Sequence, residues 1–196
     1  MSESLSSYLF FDTETTGVPR VYNAPAHHLD NWPRMVQLAW LVTDGDGHPL
    51  RTGNFIVKPD GFRIPWRAAW VHGIMTRTAR KRGVPLETVL DAFSADVDAV
   101  DVLIAHNMAF DEKIVGAEYL RCGQDNKLLV KPKRCTMQWS KHHVGLSGPT
   151  GFKWPTLKEL HKKLFRKGFR GAHDALADVR ACARCYFELR RIGIMP

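Results

Sequence analysis

Three short apolar segments in the first third of the chain predict β-strands. They span residues 7–12, 36–43 and 53–57, and the Asp-Gly-Asp-Gly sequence at residues 44–47 is a turn signal between the second and the third. This pattern predicts that the sheet begins as an antiparallel meander. The first strand carries two acids, Asp12 and Glu14, at its end.

Helical periodicity appears further along the chain. Apolar positions recur at helical spacing over residues 86–100, and a four-residue apolar strand follows at 102–105, which indicates a βαβ crossover. A helix over residues 108–120, a short edge strand over 133–137 and a long helix over 175–192 complete the pattern. A Thr-x-x-Glu capping box starts a short helix near Thr156. The sequence therefore predicts an α/β fold with a mixed five-stranded sheet flanked by helices.

Several acidic residues occupy positions that the pattern predicts to face the protein core, where a negative charge needs a positive partner. Residues two apart on a strand share a face, so Asp12 and Glu14 can share a site while the Thr13 side chain points away. Asp178 shares a helical stripe with Cys182, Cys185 and Leu189, which places it toward the core. Like charges brought together in apolar surroundings require a cation, and carboxylate oxygens suit Mg²⁺ or Mn²⁺.

Two further residues are candidates for the same site. Asp111 lies in the first turn of the helix after strand 102–105, at the sheet edge where α/β folds place ligands; an acid favoured by the helix dipole is the alternative. His173 precedes the last helix in a glycine-containing loop, and histidine is the side chain whose reference pKa of about 6.5 suits proton transfer near neutral pH. A simply solvated histidine is the alternative.

Composition bounds the class of protein. With 196 residues, 44% of them hydrophobic and 24% charged, we expect one globular domain over residues 1–196. The longest apolar run is five residues, 38–42, and the N-terminus is polar, so no export or membrane segment is expected. Four cysteines, including a Cys182-x-x-Cys185 pair, fit reduced buried thiols better than a zinc site and favour a cytoplasmic location.

Positive charge is concentrated in one segment. Residues 127–170 hold twelve Lys or Arg and one acid, Glu159, so the segment is +11 while the whole chain is +8 and the remainder −3. Aromatic residues are interleaved with these charges, as in grooves that bind phosphates while bases stack on rings; they are Trp139, Phe152, Trp154, Phe165 and Phe169. A solvated basic face over core aromatics explains the composition equally well.

Residues 18–34 resist assignment to a helix or strand. This long segment leaves directly from the strand with Asp12 and Glu14, so we expect it to lie over or beside the site. An insertion without a role is the alternative.

Three motifs together carry a resemblance to a known family. Asp12-Thr-Glu-Thr-Thr-Gly17, His106-Asn-x-x-Phe-Asp111 and His173-x-Ala-x-x-Asp178 resemble the three motifs of DEDDh (DnaQ-like) 3′-to-5′ exonucleases, which have an RNase H-like fold. The residues after Glu14 look like those of the polymerase proofreading branch. Val71-His-Gly-Ile74 also resembles a segment that the family carries between its first two motifs.

The resemblance implies roles for individual residues. Asp12, Glu14, Asp111 and Asp178 would hold two Mg²⁺ or Mn²⁺ ions, and His173 would be the general base. The Thr13 backbone and the Glu14 carboxylate would meet the terminal 3′ hydroxyl. Further substrate contacts or supports would be Thr15, Thr16, His72, Asn107 and Phe110. The products would be nucleoside 5′-monophosphates.

Several alternatives stay open. Single-stranded or frayed DNA is the expected substrate and RNA the alternative, because no motif reveals contacts to a 2′ hydroxyl. The domain can also serve a polymerase or DNA-end-processing assembly, although the chain ends at Pro196, just past the last predicted helix, without a tethering tail. A homodimer is compatible with the resemblance.

Overall fold

The protein is described by a computed structural model that covers residues 6–196. Its central sheet has five strands in the order β3-β2-β1-β4-β5. Their bounds are β1 Tyr8–Thr15, β2 Met35–Thr43, β3 Pro49–Ile56, β4 Val102–Ala105 and β5 Lys133–Cys135. The first three strands pair antiparallel, whereas β4 runs parallel to β1 and β5 parallel to β4. The predicted mixed sheet with its opening meander is confirmed.

Seven helices flank the sheet in the described range. They are α1 Trp66–His72, α2 Thr76–Arg82, α3 Leu86–Asp98, α4 Met108–Arg121, α5 Thr136–Val144, α6 Leu157–Phe165 and α7 Ala175–Arg191. Two 3-10 turns span Leu29–Asn31 and Lys127–Val130, and a small hairpin pairs β6 Ser147–Gly148 with β7 Gly151–Phe152. Between residues 6 and 196, none of the helices has the length and apolar character needed to cross a membrane.

Alternation along β1 divides the core into two layers. Leu9 and Phe11 pack in the layer that includes residues of α3 and α4, whereas Phe10 packs with residues of α7 in the other. Asp12 and Glu14 continue the α7 side of this alternation, and Thr13 continues the α4 side. In the α7 layer Cys182 and Cys185 are buried free thiols, as expected.

The structure corrects several predicted boundaries. β1 extends from Tyr8 to Thr15 because it stays paired with β2 up to Met35, so Glu14 as well as Asp12 lies within the strand. β3 begins at Pro49 instead of residue 53, and β5 ends at Cys135 because Thr136 already starts α5. Helices α1, α2 and α5 were not predicted, since the first two bury only His72 and Ala79 and show almost no apolar stripe.

A buried acid fastens the segment 18–34 to α4. Glu118 has no exposed surface, and its Oε1 atom lies 3.0 Å from Arg34 Nε and 3.0 Å from Arg121 Nη1. Met35 N donates to the same oxygen at 2.8 Å. The ring of Tyr22 lies 6.5 Å from that of Phe110, centroid to centroid. The segment therefore runs along α4 and reaches the neighbourhood of Asp111, beside the site as expected.

Removing the Glu118 carboxylate should be strongly destabilising. In Glu118→Ala, two half-buried guanidinium groups lose their fully buried counter-charge, and we expect a loss of about 3 to 5 kcal/mol in the free energy of unfolding, measured in urea. Glu112→Ala is the matched control, because Glu112 is an acid of the same helix that keeps part of its side chain exposed in its ion pair with Lys133 of β5, and this variant should lose about 1 kcal/mol or less. Equal losses of unfolding free energy in the two variants would contradict the role given to the buried Glu118 ion pairs.

Candidate active site

The site lies where two strands of the sheet separate. β1 pairs with β4 only as far as Phe10 and Ile104, and beyond that point β1 continues with β2 alone. The direction of pairing also changes at β1, from antiparallel with β2 to parallel with β4. Such a switch point leaves a crevice at the carboxyl ends of the strands. Asp12 and Glu14 follow directly on the last β1–β4 pair.

Asp111 reaches this crevice from the first turn of α4. Its side chain is buried, and its Oδ1 atom accepts hydrogen bonds from Thr13 N at 3.0 Å and Thr13 Oγ1 at 2.7 Å. The Thr13 side chain points away from Asp12 and Glu14, as expected, and its hydroxyl fixes Asp111 from the α4 side of the sheet. Burial raises the pKa of Asp111 to about 7, although the Thr13 bonds oppose the increase.

Three residues form a compact group on the α7 side of β1. One ligand atom each of Glu14, His173 and Asp178 lies within 4.8 Å of the others. His173 has a positive φ of 72°, and its backbone N donates to Asp178 Oδ2 at 3.1 Å. Asp174 caps α7 by accepting from the backbone N atoms of residues 176 and 177. The cap fixes the start of the helix and therefore the turn that carries Asp178.

The four carboxyl groups act on one another. The pKa of Asp12 is raised well above its ordinary value, first by burial and then by the charges of Asp111, Asp178 and Glu14. Burial, Asp178 and Asp111 raise the pKa of Glu14 to about 8. Burial also raises the pKa of Asp178. Although only Glu14 and Asp178 belong to the compact group, all four predicted acids share one electrostatic site.

This donor set fits a divalent cation. The side chains offer hard carboxylate oxygens, and Asp178 Oδ1 is a buried oxygen without a hydrogen-bond partner in the described part of the chain. A bound cation would satisfy that oxygen and offset the repulsion that raises the pKa values. The site thus provides the hard oxygen donors that a divalent cation requires, as the sequence predicts.

Three of the predicted substrate contacts, His72, Thr15 and Thr16, form hydrogen bonds with backbone atoms next to the acids. His72 is buried, which lowers its pKa, and its Nδ1 accepts from Ile74 N at 3.1 Å. Thr15 Oγ1 donates to Gly17 O at 2.6 Å, and Thr16 Oγ1 accepts from Arg34 N at 3.0 Å. Both hydroxyls therefore hold the turn after β1, so these threonines shape the wall of the site.

Asn107 and Phe110 lie at the start of α4. Asn107 has a positive φ of 80°, and its carbonyl accepts from Phe110 N at 2.8 Å, which sets the first turn that carries Asp111. Both side chains are half-buried. Phe110 faces Tyr22 of the segment 18–34, so these residues form the wall of the site on the α4 side.

Sequence reasoning gave no separate role to His106. Its Nδ1 lies 2.9 Å from Thr136 Oγ1 and its Nε2 lies 3.0 Å from Pro155 O. Burial lowers its pKa to about 4, so the ring is neutral near pH 7 and ties the end of β4 to the starts of α5 and α6. A polar residue directly after the buried strand 102–105 was the available signal.

The basic segment 127–170 contains exposed aromatic rings as well as rings packed against the protein. Trp139, Phe152 and Trp154 are exposed, and Lys141 Nζ lies 4.2 Å from the ring centroid of Trp154. Phe165 is half-buried beside His161, with ring centroids 4.6 Å apart, and Phe169 is half-buried against the same ring. The exposed rings are available for stacking, whereas the last two belong to packing.

Comparison with known proteins identifies the family. The protein-family model described as "Exonuclease" matches residues 9–186. The chain belongs to the exonuclease family. The predicted DEDDh-type resemblance is therefore confirmed, and the family match spans all three motifs.

Individual proteins that resemble this exonuclease-family chain share less than a third of its residues. The PolC-type DNA polymerase III of Lactococcus lactis subsp. lactis (strain IL1403) is 28% identical over 182 residues, which make up 93% of this chain and 10% of that polymerase. Escherichia coli exonuclease I, solved in complex with a dT13 oligonucleotide, superimposes with a TM-score of 0.75 at 21% identity, over 94% of this chain and 41% of that one. Exonuclease I from Methylocaldum szegediense gives a TM-score of 0.75 at 22% identity, over 96% and 41% of the two chains. The structural similarity confirms the RNase H-like fold, and the chain spans only a part of each relative.

Neutralising one acid should stabilise the metal-free protein at high pH. The pKa of Glu14 is raised from 4.5 to about 8 in the folded protein, so the folded state holds this proton more tightly than the unfolded chain does. The stability that the protonated carboxyl contributes is therefore fully present below pH 4.5 and is lost as the pH rises through 8. Glu14→Gln should therefore match the unmodified protein near pH 4.5 and exceed it by about 2 to 4 kcal/mol at pH 9, in urea unfolding with EDTA present. Exposed Glu87 provides the control Glu87→Gln, which should change little at either pH. A destabilised Glu14→Gln at pH 9 would contradict the electrostatic account.

Proposed function

We propose that residues 1–196 form one exonuclease domain that removes nucleoside 5′-monophosphates from the 3′ end of a single DNA strand. The observation that carries this proposal is the convergence of Asp12, Glu14, Asp111 and Asp178 with His173 at the crevice between β1 and β4. Membership of the exonuclease family supports it. Fold similarity alone would not, since one fold hosts many activities.

The four acids explain why the reaction would require a divalent metal cofactor. Asp12, Glu14, Asp111 and Asp178 would hold two Mg²⁺ or Mn²⁺ ions, which when bound neutralise the phosphate and make water a stronger nucleophile. Thr13 keeps Asp111 in place through two hydrogen bonds. The His173–Asp178 backbone contact and the Asp174 cap do the same for Asp178.

His173 is suited to move the proton in the reaction. Its side chain is exposed and lies in the compact group with Glu14 and Asp178. As water oxygen bonds to phosphorus, a ring nitrogen of His173 accepts the water proton, and the bond from phosphorus to the 3′ oxygen of the preceding nucleotide breaks. That oxygen leaves as a new 3′ hydroxyl after protonation, so the shortened strand is again a substrate.

The substrate class rests on charge and on the relatives. The basic segment 127–170 presents exposed Trp139, Phe152 and Trp154 among cations, a combination suited to an unpaired strand. Exonuclease I has been solved with a DNA oligonucleotide, and the polymerase relative is a DNA enzyme by name, which favours DNA over RNA. Because that relative is a polymerase, we also propose that the domain can act within a polymerase or end-processing assembly. A homodimer stays a prediction.

A labelled oligonucleotide tests the activity directly. With Mg²⁺, a 5′-labelled single-stranded DNA 20-mer should shorten into a ladder from its 3′ end, and a 3′-phosphorylated copy should be protected. Asp12→Asn should lower the rate by about 10³-fold or more, because a group on the reacting centre is lost. Asp125→Asn, at an exposed acid on the α4–β5 connection, should leave it unchanged.

Three results would contradict the proposal. They are no shortening of the DNA, shortening from the 5′ end, and full activity in Asp12→Asn. Faster digestion of an RNA of the same sequence would reassign the substrate to RNA.

A further inference from the structure

A second basic surface lies outside the segment 127–170. Residues 58–82 contain seven Lys or Arg and one acid, Asp60, which gives this stretch a net charge of +6. It comprises the approach to α1, α1 itself and α2, and we call it the α1–α2 surface. Within the described residues, its arginines and lysines form no salt bridge with an acid. The positive charge is therefore free to meet an external anion.

Two tryptophans stand exposed on this surface. Trp66 is 74% and Trp70 is 85% exposed, and because they are four residues apart on α1 they lie on the same side of the helix. Indole rings this exposed are unusual on a protein surface, and unpaired bases stack on such rings without regard to sequence. The α1 residues that pack against the core are Ala68 and Ala69, so the two tryptophans take no part in that packing.

A basic cleft accompanies the tryptophans. It has a volume of about 700 Å³ and is lined by Arg63, Ile64, Thr76, Arg77, Arg80 and Lys81. Four of these six side chains are cations and none is an acid. The concave shape and single sign of charge suit a phosphodiester chain, whose charges repeat along its length.

The α1–α2 surface is continuous with the active site. α1 ends at buried His72, whose ring is within electrostatic range of His173. A second cavity of about 350 Å³ is lined by His72 and Asp174 on the site side and by Arg82 of α2 on the other. A strand that leaves the acids through this cavity would meet α2 directly.

We propose that the α1–α2 surface binds the unpaired nucleotides upstream of the 3′ end, with bases on Trp66 and Trp70 and phosphates in the cleft. This rests on the proposed exonuclease function and adds a second stretch of binding surface to it. Exposed tryptophans among cations also occur on proteins that bind anionic membranes. The row of four cations favours a strand, whose charges repeat along its length, and α1 has only seven residues.

The test compares a long and a short substrate. Variant one is Trp66→Ala with Trp70→Ala, and variant two is Arg77→Ser with Arg80→Ser and Lys81→Ser. The control removes three cations elsewhere, Arg51→Ser, Arg184→Ser and Arg191→Ser. Each protein is assayed for kcat and KM on single-stranded dT20 and on the dinucleotide dTpdT, and for equilibrium binding of dT20 with EDTA by fluorescence anisotropy. Thermal unfolding verifies that each variant is folded.

Both α1–α2 variants should raise KM for dT20, and its Kd, by about tenfold or more. The kcat values and the rates on the dinucleotide should stay unchanged, and the control should show a smaller rise in KM. Unchanged dT20 binding in the two variants, or an equal loss on both substrates, would overturn the inference. So would binding of the unmodified protein to phosphatidylglycerol vesicles that the variants lose while they retain dT20 binding. If the unmodified protein cleaves neither substrate, the proposed function fails, and the anisotropy measurement still decides the inference.

Discussion

Mutual repulsion among four carboxyl groups, one buried and three half-buried, is the constraint on which this structure depends. Asp12 and Glu14 come from one strand, while Asp111 and Asp178 come from helices on opposite sides of the sheet. Burial and the neighbouring charges raise the pKa values of these groups, so their juxtaposition opposes folding unless a cation or a proton is present. A fold that maintains such an arrangement sacrifices stability to keep a site for a divalent cation.

The rest of the fold holds these groups in place. The separation of β1 from β4 after Phe10 opens the crevice, and Thr13 reaches across the sheet edge to fix Asp111. The Asp174 cap orders the first turn of α7. Further away, the buried Glu118 ties the segment 18–34 to α4. The hydrogen bonds to Asp111 and at the start of α7 limit where the site carboxylates can move, and the Glu118 ion pairs hold the neighbouring segment against α4.

Much of this could be predicted from the sequence, because strand alternation, helical periodicity and capping are local signals. The meander, strand 102–105, the capping box at Thr156 and the inward stripe of Asp178 followed from such signals. The Thr13–Asp111 bond could not, since it joins residues 98 positions apart in sequence across the edge of the sheet. Neither could α1 and α2, whose side chains remain largely exposed and therefore leave no apolar period. The total charge of the chain also concealed the α1–α2 surface, because acids elsewhere offset it.

The central claim is that these carboxyl groups are kept partly protonated until a divalent cation replaces the protons. Calorimetric titration of the protein with Mn²⁺ at pH 7, in two buffers of different ionisation enthalpy, measures this directly. With the pKa of Glu14 at about 8 and that of Asp111 at about 7, the account predicts saturable binding with release of roughly one proton or more per protein. Heats that are identical in the two buffers, or the absence of Mn²⁺ binding, would contradict it.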